Sequence, residues 1–125
     1  MAIGTSCTIT EETHGSMKKV KFAWATLSSS SGGVTATTTG AYNGALERFV
    51  TIPGAGALAP TASYDITIMD QDSTDVLMAA GANRHTANTE QVNAASLGVV
   101  ANDTLTINVT NAGSSNAGTA ILYIR

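Results

Sequence analysis

Between residues 17 and 27 the chain alternates with a period of two: Val20, Phe22 and Trp24 fall on one side, Lys19, Lys21 and Ala23 on the other. Successive side chains of a β-strand point to opposite faces, so this segment reads as a strand with one face buried and one wet. The same signature recurs along the chain, separated by Gly, Ser, Asn and Pro. Residues 5–9 read as strand, and residues 34–39 as a short Thr-rich strand. In 45–52, Leu46, Val50 and Ile52 are in phase. Arg48 shares that phase, so it lies beyond the core or is paired. Pro53-Gly54-Ala55-Gly56 ends this strand, because Pro cannot donate to a ladder and Gly accepts turn dihedrals. Residues 63–70 set Tyr64, Ile66 and Ile68 against Asp65 and Thr67. The turn Gln71-Asp72-Ser73-Thr74 follows, and 75–80 is read as its hairpin partner. In 104–110, Leu105, Ile107 and Val109 are in phase. Residues 118–125 close the chain with a strand that is apolar on both faces, at Ile121, Leu122, Tyr123 and Ile124. Such a strand is covered on both sides, and in a small domain the second cover is expected from a neighbouring subunit.

One segment resists this reading. Across 83–98, Asn88 followed by Gln91 fits a helix cap with its reciprocal partner, and Gly98 could end a short helix. A long polar loop fits as well. The total is seven or eight strands and at most one short helix. That predicts an all-β fold: one antiparallel β-sandwich or jelly-roll-like domain over residues 1–125, with 1–6 as an extended N-terminal arm.

Composition narrows the function. The chain has 125 residues and a net charge of −3, and only 12% of its residues are charged. Weak acidity disfavours nucleic acid, whose phosphates call for a basic face. The cluster Lys18, Lys19 and Lys21 reads as a solvated strand edge, with contact to an acidic partner surface as the alternative. Cys7 has no second cysteine to pair with and reads as a buried structural thiol. No basic region followed by an apolar run opens the sequence, and no apolar stretch is long enough to span a membrane. Synthesis in the cytoplasm, with no membrane partner, is the expectation.

Catalytic machinery is sparse. His14 and His85 both lie in polar, loop-like contexts, and no nucleophile elbow, phosphate loop, dinucleotide fingerprint or zinc spacing is present. Asp70, Asp72 and Asp75 could ligate a cation through oxygens. The spacing lacks the third ligand position, the central Gly and the closing Glu of the helix-loop-helix calcium site, and a plain hairpin turn accounts for the same residues. Asn102-Asp103-Thr104 and Asn108-Val109-Thr110 match the glycosylation pattern by chance in a Thr-rich chain. Trp24 alternates with Val20 and Phe22, which places it in the core rather than on a sugar-binding face. No enzyme activity and no cofactor are expected.

Four passages carry a resemblance. Tyr42-Asn43-Gly44 leads into a strand ending at Ile52-Pro53-Gly54. Tyr64-Asp65-Ile66-Thr67-Ile68-Met69-Asp70 is followed by Asp75-Val76-Leu77. Asn83-Arg84 opens a polar loop. Leu105-Thr106-Ile107-Asn108-Val109-Thr110-Asn111-Ala112-Gly113 precedes Ala120-Ile121-Leu122-Tyr123-Ile124. Together they resemble small virion proteins of tailed bacteriophages, in particular capsid decoration (cement) proteins. The resemblance implies a β-sandwich or jelly-roll domain, often trimeric, bound on the outer capsid surface where subunits of the major capsid protein meet. It implies no catalytic residue. The turn 71–74 departs from the pattern, because a glycine is expected there. On this reading the interface is expected at Met1, Ala2 and Ile3 of the N-terminal arm and at Asn83, Arg84, His85 and Asn88 of the 83–98 segment. A tail, fibre or head–tail joining component is the alternative within virion assembly. A carbohydrate-binding β-sandwich module is the alternative of another class.

Overall fold

The computed structural model describes residues 6–26, 33–113 and 115–125. The arm residues Met1, Ala2 and Ile3 lie outside the described residues. Nine strands are present among those described: β1 (Ser6–His14), β2 (Met17–Ala25), β3 (Val34–Thr37), β4 (Tyr42–Pro53), β5 (Asp65–Met69), β6 (Glu90–Asn93), β7 (Val99–Asp103), β8 (Thr106–Thr110) and β9 (Ala117–Ile124). Two single 3-10 turns, Gly56–Leu58 and Ala94–Ser96, are the helical structure among them. Among the described residues no helix is long and apolar enough to cross a membrane.

The large sheet runs in the order β1-β2-β9-β4-β6, and β7 continues the β6 edge along the first half of β4. The small sheet runs β3-β8-β5. All the ladders between named strands are antiparallel. Alternation in the sequence decides which side of each strand faces in. Val20, Phe22 and Trp24 of β2 are buried in the core with Ala120, Leu122 and Ile124 of β9. The small sheet contributes Val34, Ile66, Ile68, Ile107 and Val109 to the same cluster, with Tyr64 and Leu105 just outside its strands. Each large side chain buried in this way stabilises the fold by roughly 1.5–3 kcal/mol. Gly118 is glycine because a Cβ there would stand 2.5 Å from Trp24 Cζ2. The indole is wedged against the β9 backbone and stacks at a tilt on Tyr64, with ring centroids 5.6 Å apart.

Five expectations change. Residues 75–80 form consecutive turns rather than a strand, joined to β5 by one bridge at Met69 and Asp75. The 83–98 segment is neither an α-helix nor simply a loop: Gln91 lies in strand β6, so the Asn88–Gln91 cap is not made. Strand β7 is an addition, which with β6 raises the count to nine. The phase of β4 also reverses. Leu46 faces Ile124 and Arg48 faces Tyr123, so Glu47 is the extra residue of a β-bulge. A bulge shifts the alternation by one, so Phe49 and Thr51 enter the core while Arg48, Val50 and Ile52 turn outward. Ile121, on the outer side of β9, is only 8% exposed within the single chain. Its neighbours in the sheet supply the cover expected from another subunit.

Candidate functional site

The outer face of the large sheet is chemically mixed, and ladder register builds it in rows. One row reads Glu12, Lys19, Tyr123, Arg48, Asn93 across β1, β2, β9, β4 and β6. The next reads Thr10, Lys21, Ile121, Val50, Gln91, and a third runs Thr8, Ala23, Thr119, Ile52. Directly opposed residues share a face, so these side chains project to one side together.

Tyr123 occupies the middle of the first row. The Arg48 guanidinium carbon lies 4.5 Å from its ring centroid, and the Lys19 ammonium 6.0 Å. These are cation–π distances. Arg48 Nη1 also donates to Gln91 Oε1 at 3.2 Å, which fixes the guanidinium over the ring. Beneath these groups, Val50 at 7% and Ile121 at 8% exposure form an apolar centre, and Ile52 at 38% extends it. At the margin Glu12 bonds His14 at 2.9 Å. That bond, and beyond it the charges of Lys19 and Lys21, hold the Glu12 carboxyl below its ordinary value.

The expected acidic site assembles differently. Carboxylate oxygens of Asp70, Asp72 and Asp103 lie within 4.8 Å of one another, and Asp103 replaces Asp75 in the group. Asp75 is otherwise engaged: Oδ1 accepts the backbone N–H of Ile68 and of Leu77, and Oδ2 that of Ala79. It folds the turns that replace the expected strand. Asp70 Oδ1 accepts from Asp72 N and Thr74 N, and Asp103 from Gln71 N and Ala101 N. Three such oxygens could seat a hard cation, but the bonds they make are those of loop closure.

Of the expected interface residues, Asn83, His85 and Asn88 are exposed and Arg84 is half-buried. They are knitted into their own loop. His85 N donates to Glu90 Oε1 at 2.8 Å, which also lies 3.6 Å from Arg84 Nη1. His85 Nδ1 accepts from both Ala87 N and Asn88 N, and Asn88 Nδ2 stands 3.4 Å from its Nε2. Trp24 is 1% exposed, as the alternation required. Its Nε1 is buried without a hydrogen-bond partner among the described residues, as are Thr51 Oγ1 and Tyr64 OH. Burial pushes the Tyr64 phenol above its ordinary pKa; the nearby Thr51 hydroxyl pulls the other way, although the two do not reach hydrogen-bonding geometry.

Sequence reasoning found Lys19 and Lys21 and placed them on a wet face. It missed Arg48 as an outward residue and Tyr123 as the centre of the face. The signal available was the doubly apolar last strand, whose second face this is.

No protein-family model matches the sequence, and no curated protein is similar to it. Among solved structures, a low-affinity xylan-binding module of the gut symbiont Roseburia intestinalis overlaps it with a TM-score of 0.32 and 7% identity, over 98% of this chain and 87% of that one. An overlap that loose transfers nothing to this chain. The conclusion that stands on the structure is that this is an all-β protein of two facing antiparallel sheets.

Proposed function

We propose that this chain is a non-enzymatic virion structural protein that decorates the outside of an assembled capsid, docking on the major capsid protein through the outer face of its large sheet. The observation that carries the reading is the composition of that face. A buried apolar centre is ringed by an aromatic side chain, a fixed guanidinium and two lysines. Protein interfaces favour this arrangement, with aromatic and Arg anchors over a dry core. The resemblance of the four sequence passages to decoration proteins supplies the particular setting, including the trimer.

The mechanism is mechanical. A chain that binds only the assembled shell stabilises that state by mass action. Modest contacts repeated on one particle, or joined in a trimer, gain strength from effective concentration. The test is direct. Purified particles should contain the chain at a fixed ratio to the major capsid protein, and adding it to shells that lack it should raise their melting temperature. Absence from particles and an unchanged shell melting temperature would reject the reading.

A second reading, a carbohydrate-binding module, would use the same face, with Arg48 swinging off the Tyr123 ring to let a sugar stack there. Titration with a panel of soluble polysaccharides separates the two. Saturable sugar binding that Tyr123→Ala abolishes, with no affinity for shells, would replace the first reading with the second.

A further inference from the structure

We infer that the outer face of the large sheet docks on a carboxylate-rich protein surface, with Arg48, braced on the Tyr123 ring, as its anchor and Lys19 and Lys21 as its flanking contacts. This deepens the decoration reading and rests on it: the acidic surface belongs to the capsid shell.

Charge distribution is the first support. The chain is acidic overall, with six Lys and Arg against nine Asp and Glu. Three of those six cations, Lys19, Lys21 and Arg48, stand on this one face. Its row acid is Glu12, at the margin and bonded to His14. Of the other acids, Glu47 is the half-buried bulge residue beside Arg48 and makes no ion pair with it, Glu11 is bonded into the loop before β4 and Glu90 to His85 N, and Asp65, Asp70, Asp72, Asp75 and Asp103 lie on β5, β7 and the turns. Among the described residues neither Lys19, Lys21 nor Arg48 forms an ion pair. A cationic face on an acidic protein steers carboxylates toward one docking orientation and repels them from others.

Preorganisation is the second. Arg48 is held by stacking on Tyr123 and by its bond to Gln91, which leaves guanidinium N–H groups free to meet a carboxylate with little further loss of side-chain entropy. The pair Val50 and Ile121 lies beside it, already covered within the chain, so the guanidinium sits at the edge of a patch that is dry before any partner arrives. A polyanion fits less well. Nucleic acid calls for a longer run of cations than three, and the net charge of −3 opposes it.

The experiment is co-sedimentation of the full chain with capsid shells that lack it, across a salt series, for the wild type and four variants. Wild-type affinity should fall several-fold between about 50 and about 200 mM NaCl. Lys21→Glu and Arg48→Glu should each weaken binding about tenfold or more, and Arg48→Lys by less. Lys18→Glu carries the same change in net charge, but its ammonium is tied to Asn43 O away from the face; it should bind as wild type. Thermal melting verifies each fold, and a variant that melts early is replaced by Lys21→Gln or Arg48→Gln. Charge reversals that bind as wild type, or a Lys18→Glu as damaged as they are, would overturn the carboxylate assignment while leaving decoration standing. A wild type that does not sediment with shells at low salt would overturn both.

Discussion

Glu11 shows how one side chain can tie two parts of the sandwich together. It projects from β1 into the loop before β4. There it accepts hydrogen bonds from the Tyr42 hydroxyl at 2.5 Å, from Thr39 N and Oγ1, and from Gly40 N. Burial pushes its pKa up, but these four donors together outweigh burial and the net shift is downward. A carboxylate whose folded pKa is depressed contributes stability that is present above its unfolded pKa, about 4.3. That contribution is lost as pH falls through the lower, folded value. Glu11→Gln should therefore cost about 1–3 kcal/mol at neutral pH and flatten the loss of stability below about pH 4.3, as measured by urea unfolding across pH. Cys7 makes a second residue-scale prediction. Burial pushes its thiol up to about 11, and the thiolate is the reactive form. Alkylation of the folded protein near neutral pH should be slower than that of the unfolded chain by about a hundredfold, read by intact mass.

At the scale of elements, the strands legible in the sequence are those whose alternation is complete. β2, β5 and β8 bury every second residue, as their apolar phase requires. β4 could not be read correctly, because a bulge reverses its phase at Glu47 and the residue types around it carry no mark of this. β6 and β7 are edge strands in which Val92 and Val100 are the inward apolar residues, so neither has a pattern to detect. The candidate face was legible in part: Lys19 and Lys21 point outward by the same alternation that buries Phe22. Arg48 and Tyr123 come from strands distant in sequence and meet through register alone, which periodicity does not encode. The turn 71–74, where a glycine is expected, explains itself in the backbone. Ser73 sits at φ 60°, a left-handed conformation costly for a side chain. Ser73→Gly should raise stability by about 0.5–1 kcal/mol, read as a higher urea midpoint at an unchanged m-value.

At the scale of the whole molecule, the two outer faces differ in kind. The small sheet presents a self-satisfied polar surface: Thr37 bonds Thr106 at 2.8 Å, Thr35 bonds Asn108 at 2.8 Å, and Asn111 bonds Asp65 at 2.7 Å. Groups already paired with one another gain little from a partner. The large sheet presents unpaired cations over an apolar centre, and on this account that face meets the shell while the small sheet faces solvent. Decoration by a trimer adds one expectation in solution, a light-scattering mass of three chains at micromolar concentration. The measurement that tests the central claim most directly is a cryo-electron microscopy map of shells saturated with the chain. The account predicts density in which the Tyr123 and Ile121 rows lie against the capsid surface and the threonine rows of the small sheet point away. A map with the small sheet seated on the shell, or with no ordered density for the chain, would contradict it.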